Sequence, residues 1–299
     1  MLRIIIIIII IYIFYNLHKK FNFFFKSLEF IKSYIKLILV VLFNSNSYKL
    51  PNNFSINNNI TFNKKFNNDK YYDCIISINV HEKFNFLLKQ LECIKMNVNL
   101  TYAVILNCND YMFNECKKYK LPNNVYINNI ILNKKRFHGS LLNGIYNNMV
   151  YGISNFNFKY FIVASSRSFF GNNLRLKDLN RISKNKIVQK NDYNKWWWPL
   201  FKQTLLAKYY LEHNKNLYKS PHEGLVFNEK CCLKIINFIE NNPIIKNDLF
   251  NFEGCVEEFA FQTIAINLGE NFYYIGNGTK DKKLNINNKN KFMYKIIRN

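Results

Sequence analysis

The sequence predicts an α/β domain built on a parallel sheet covered on both faces, and three observations carry that expectation. From Tyr72 onward, short strand-like runs alternate with helix-like stretches. The strand-like runs are apolar nearly throughout, as strands buried on both faces read. The stretches between them space their apolar residues three and four apart, the period of a helix with one buried side.

Taken in order, Tyr72 to Val80 (YDCIISINV) reads as a buried strand bounded by His81 and Glu82. Phe84 to Met96 places Leu87, Leu88, Leu91 and Ile94 on one helical face. Thr101 to Leu106 and Asn124 to Leu132 read as the next two strands, with a short helix between them. Gly139 to Ile153 gathers Leu141, Leu142, Ile145, Met149 and Val150 on one side, hence a helix, and Lys159 to Ala164 follows as a strand. Open sheets of this kind bind ligands beyond the carboxyl ends of their strands. The loops after Val80, Leu106 and Ala164 are therefore the expected contact points.

The second half changes character. Arg167 to Lys195 reads as a long polar loop, which favours a functional segment over a simple connection. Helices are expected over 200–212, 228–240 and 256–267, with short strands over 223–227 and 272–275. The domain plan is an apolar anchor or tether over 1–43, an Asn-rich stem over 44–71, the α/β domain over 72–276 and a basic mobile tail over 277–299.

Composition narrows the classes. The formal net charge of +23 comes mostly from Lys scattered among Asn, Ile, Phe and Tyr. It accompanies no nucleic-acid-binding motif, so no nucleic-acid partner is expected. Seven cysteines form neither a CxxC pair nor a zinc spacing, although a Cys108–Cys116 bridge fits a lumenal domain. Ile4 to Tyr15 is unbroken apolar sequence flanked by Arg3, Lys19 and Lys20. It is shorter than the roughly 20 residues that span a bilayer, and reads as a type II signal-anchor or a membrane-surface tether. The lysines after it favour a cytosolic domain, whereas sequons at Asn53, Asn59, Asn99 and Asn277 suit a lumenal one.

No GxGxxG, P-loop, HExxH or GxSxG pattern is present, nor an Asp-x-Asp pair to hold a metal on a diphosphate. A sugar transferase without such a pair neutralises its leaving diphosphate with Arg or Lys. The most informative segment is Phe252 to Ile264, where Glu257 and Glu258 open a helix whose next turns are apolar. Acids there offset the helix dipole. Placed at a cleft, one of them can act as a general base toward a sugar hydroxyl.

Four stretches in register resemble glycosyltransferase family 14, the core-2/I-branching enzymes and peptide xylosyltransferases. They are Asp73–Ile94 with Tyr102–Asn107, Phe137–Leu141 with Tyr160–Ser166, Glu223–Asn228 with its helix, and Glu257–Ile264. The resemblance implies a glycosyltransferase-A (Rossmann-like) fold with a mixed, mostly parallel sheet flanked by helices. It implies inverting, metal-independent transfer of N-acetylglucosamine or xylose from a UDP-sugar to a glycan or protein hydroxyl, with no cofactor. It maps the catalytic base onto Glu258, and nucleotide-sugar contacts onto Val80, His81, Asn107, Ser165 and Ser166. Glu223 falls in an acceptor-side segment. Lys280, Lys282 and Lys283 are the nearest candidates for the diphosphate-binding cations. The sequence departs from the family pattern at Asn107 and Ser168, where Asp is usual, and at His138, where Trp is usual. A catalytically inactive relative that binds glycan or acts as a scaffold is the alternative.

Trp196 to Trp198 could stack on sugar rings, with Trp197 the acceptor-site candidate, or plug the core. Arg167 reads as a phosphate contact or a solvated loop cation. Lys134, Lys135 and Arg136 read as a solvated face.

Overall fold

The computed structural model describes residue 50 and residues 54–57, 70–184, 196, 199–276 and 292–295, all within one compact unit. The apolar N-terminal segment, Trp197, Lys280, Lys282 and Lys283 lie outside the described residues. No helix among the described residues is long and apolar enough to cross a membrane.

The chain is α/β, with a mixed, mostly parallel central sheet flanked by helices. Strand β1 (Tyr71–Val80) pairs in parallel with β3 (Tyr102–Cys108) on one side and β5 (Asn157–Ser165) on the other. Strand β4 (Val125–Asn128) extends the sheet in parallel beyond β3. On the far side β8 (Leu225–Asn228) and β9 (Tyr273–Tyr274) run antiparallel, giving the order β4-β3-β1-β5-β8-β9. Because β8 opposes β5, its first residues lie at the carboxyl end of the parallel strands.

Side-chain alternation sorts each strand between two layers. Cys74, Ile76, Ile78, Val104, Leu106, Tyr160 and Ile162 enter a core with Leu87, Leu91 and Ile94 of helix α1 (Phe84–Asn97) and Met112 of α2 (Asp110–Lys118). The opposite face is covered by α3 (Ser140–Asn155), which packs on β1 and β3. Asn109 starts α2 by accepting the Met112 amide, as an N-cap side chain does. At α3 the cap residue is Gly139, and His138 just before it accepts the Ser140 amide on Nδ1 at 3.0 Å.

Under α3 a row of polar residues crosses the carboxyl end of the sheet. The register places Asn128 beside Asn107, Asn107 beside Asn79, and Asn79 beside Ser165. All four are buried; Asn79 donates to Leu141 O of α3 at 2.8 Å, Asn107 donates to Ile130 O, and buried Asn148 of α3 meets Asn128. The Asn148 amide donates to Ser77 Oγ and to Ile105 O, both at 3.0 Å, and its oxygen accepts from Asn128 Nδ2 at 3.2 Å. A side chain at Gly144 would strike Asn79 Oδ1 at 2.2 Å, so glycine is what lets α3 approach this row.

Of the stretch expected as a polar loop, Arg167 to Lys195, the described part through residue 184 is largely in regular elements. It forms β6 (Ser168–Phe170), β7 (Leu174–Arg175) and helix α4 (Leu176–Lys184). β7 joins the short strand β2 (Val98–Asn99), and Leu179 and Ile182 of α4 enter the core. Residues 292–295, placed by the sequence reading in a mobile tail, include strand β10 (Met293–Lys295), which pairs antiparallel with β6. After α5 (Leu205–Glu212) and β8 come α6 (Glu229–Glu240), α7 (Pro243–Asn251) and α8 (Ala260–Asn267). The expected helix over 256–267 divides in two: Val256–Glu258 is a 3-10 turn, and α8 starts after it.

Candidate functional site

Five segments meet at the carboxyl edge of β1 and β5: the turn after each of these strands, the turn before β8, the 3-10 turn Val256–Glu258, and β10. Two glycines make the meeting close. Gly224 has φ +93°, donates its amide to Val163 O at 2.8 Å, and would carry a Cβ 2.4 Å from the Gly276 nitrogen. Only glycine holds that backbone without strain. Gly276 in turn bridges Met293, and the Phe292 and Met293 amides both donate to Ile275 O. The 222–224 turn is thereby tied to β10.

The charged side chains form a chain of contacts. Lys295 of β10 makes an ion pair with Glu223. Glu223 Oε1 lies 3.4 Å from His222 Nε2, and His222 Nδ1 lies 3.9 Å from Glu257 Oε1. His222 is 8% exposed and Glu257 4%. Burial works against the Glu223 carboxylate, but the His222 and Lys295 partners outweigh it and bring its pKa down to about 2. Burial, with the neighbouring Glu258 charge, pushes the Glu257 carboxyl well above the usual range. Burial also lowers His222; Glu223 opposes this, while Lys295 and Arg167 add to it. The cluster therefore sets two carboxyls on either side of one imidazole, with Glu223 shifted down and Glu257 shifted up.

Around this chain stand the residues expected from the sequence. His81 Nε2 lies 3.5 Å from Ser166 Oγ and 4.0 Å from Glu82 Oε1, and Arg167 Nε lies 3.7 Å from the same Glu82 oxygen. His81, Ser166 and Arg167 are thus brought together at the edge, with Arg167 also acting on His222. The others are structural in their side chains. Val80 is buried and its carbonyl accepts the Asn109 amide. Asn107 is fully buried, with its amide on Ile130 O at 2.9 Å. Ser165 and Ser168 shape the turn: the Ser165 amide donates to Ser168 Oγ, and Gln90 of α1 donates to both their carbonyls. A nucleotide could meet Val80, Asn107 and Ser165 only through backbone or after rearrangement.

Glu258 differs from Glu257 in burial, though its charge acts on Glu257. It is half-buried, its carbonyl accepts the Ser220 amide, and its charge acts on Lys219, whose pKa is lowered chiefly by burial. Lys219 lies over the ring of Trp196 at 5.4 Å. Trp196 itself is core, 4.1 Å between ring centres from Phe201. Lys134 does not belong to a solvated face: its ammonium donates to Leu132 O, and burial lowers its pKa to about 7.

No protein-family model matches the chain, and no curated protein does.

Three participants escaped sequence reasoning. His222 was hidden beside Glu223, and Glu257 was passed over for its neighbour. Lys295 is one cation among 42 and carries no local signal. Among the described residues no group of three or more His, Cys, Asp and Glu is set to hold a metal ion.

Proposed function

We propose that the chain is an inverting, metal-independent glycosyltransferase of the glycosyltransferase-A type, moving a sugar from a UDP-sugar to a hydroxyl of a glycan or protein. The observation that carries this reading is the carboxylate–imidazole–cation cluster at the carboxyl edge of a mostly parallel sheet, where nucleotides bind in such folds. The twin glutamates enter from a turn beside that edge.

In this reading Glu258 takes the proton of the acceptor hydroxyl. The new bond forms at the anomeric carbon as the bond to the diphosphate breaks, so the configuration inverts. UDP leaves with its negative charge met by Lys295 and Arg167, cations held rigidly before the reaction. Lys295 takes the part that the sequence alone suggested for Lys280, Lys282 and Lys283. The donor is N-acetylglucosamine or xylose on UDP, and the membrane is met through the N-terminal apolar segment.

A second reading, a catalytically silent glycan-binding relative, is favoured by one observation. Asn107, at a position expected to contact the nucleotide, is fully buried and committed to Ile130.

A thermal-shift screen separates the two. UDP and UDP-sugars should raise the Tm equally with Mn²⁺ and with EDTA. Stabilisation by oligosaccharides and by no nucleotide would overturn the transferase reading in favour of the silent one.

A further inference from the structure

We infer that Glu257 is a positioning residue: it keeps its proton and donates a hydrogen bond to His222 Nδ1, so that the Nε2–H of His222 and the ammonium of Lys295 converge on Glu223 and clamp β10 over the site. This deepens the proposed reading of the same cluster but concerns its internal wiring, which stands whatever the substrate.

The geometry leaves little choice. His222 Nδ1 and Glu257 Oε2 are buried and have no hydrogen-bond partner among the described residues. Buried polar atoms left this way are costly, because the water they lose is not replaced by a partner. Glu257 is the carboxyl set beside that nitrogen, its Oε1 3.9 Å from His222 Nδ1, and the bond inferred here requires it to move closer. Three proton arrangements compete. With Glu257 ionised and the imidazole proton on Nδ1, the bare Nε2 would face the Glu223 carboxylate 3.4 Å away, acceptor against acceptor. With Glu257 ionised and His222 doubly protonated, four charges crowd one cluster, and desolvation penalises the two buried ones, His222 and Glu257. Burial opposes both charges first; Lys295 and Arg167 add to it at His222 against Glu223, and Glu258 and Glu223 add to it at Glu257 against Lys295. With the proton on Glu257 and the imidazole proton on Nε2, every donor meets an acceptor and only Glu223 and Lys295 are charged.

The consequence is mechanical. Glu223 sits in the turn before β8, and Lys295 on a strand brought in from far along the sequence. The relay fixes the Glu223 carboxylate in one orientation, and that carboxylate holds β10 against the site.

The test is the imidazole nitrogen NMR spectrum of the full chain at neutral pH, with a His222→Gln variant assigning the signal. The expected result is a neutral His222 with the proton on Nε2 and a bare Nδ1. Glu257→Gln, whose amide can still donate to Nδ1, should keep this tautomer and the slow amide exchange of Met293 and Tyr294. Glu257→Ala should lose the tautomer preference and speed that exchange about tenfold or more. A doubly protonated His222, a proton on Nδ1 in the wild type, or a Glu257→Ala variant matching the wild type in both readouts overturns the assignment. Should Glu257→Ala fail to fold, the wild-type spectrum still decides. Failure to bind UDP would sink the transferase reading and leave this result unchanged.

Discussion

Lys295 on β10 forms an ion pair with Glu223, which lies 72 residues earlier in the turn before β8. The pair joins a short C-terminal strand to the edge of the central sheet and draws a cation to the place where the parallel strands end. Around it the fold assembles the His222 imidazole and a second carboxyl, Glu257.

Removing the ammonium should loosen this edge. Lys295→Ala leaves the Glu223 carboxylate short of its charged partner and should cost about 2 kcal/mol of stability, the size of a hydrogen bond to a charged group. Urea denaturation measures it. Lys295→Arg should restore most of the loss, and both variants should weaken UDP binding more than they alter the far-ultraviolet spectrum.

Glu223 and Glu257 set opposite pH dependences. Glu223, with its folded pKa near 2 against 4.5, contributes stability present above pH 4.5 and lost as pH falls toward 2. Glu257 is raised instead, so its contribution is fully present below pH 4.5 and is lost as pH rises through its folded value. Glu257→Gln removes that second dependence. Its stability relative to the wild type should therefore climb between pH 4.5 and 8, as read by urea midpoints across that range. A constant difference would show that Glu257 is ionised in the folded protein.

The asparagine row offers a test of packing that is independent of the site. Asn148→Leu strands the Ile105 carbonyl, Ser77 and Asn128 in the interior. About 2–4 kcal/mol should be lost, because more than one buried polar group is left unpaired. Asn107→Asp is expected to be costly as well, since it buries a charge where a neutral amide donates to Ile130 O.

How far the sequence could reach follows from which forces shape each element. β1, β3 and β5 were legible because their Ile and Val runs are buried on both sides. So were α1 and α3, because their apolar stripes keep a helical period. β6, β7 and β10 were not: strands of two or three residues gain their structure from pairing with distant segments, which leaves no local pattern. Helix α7 begins at Pro243 after a short break, and its expectation was lost between two stronger helices. The carboxylates were seen as a pair, but their division was not. A continuous α-helix was expected, whereas Val256–Glu258 is a 3-10 turn, in which successive side chains diverge by about 120°. Glu257 is buried beside His222, whereas Glu258 is half-buried and its charge acts on both Glu257 and Lys219.

The gap between those two glutamates also predicts a separation of function. Glu257→Gln should retain transfer activity within about threefold, because a neutral amide replaces a neutral acid. Its rate should be compared with wild type at saturating donor.

The most direct measurement of the central claim is turnover of radiolabelled UDP-N-acetylglucosamine and UDP-xylose in EDTA, wild type against Glu258→Gln. Glu258→Gln should lower the rate about 100-fold or more while leaving UDP affinity and Tm near wild type, as loss of a general base does. Full activity in Glu258→Gln would contradict the account.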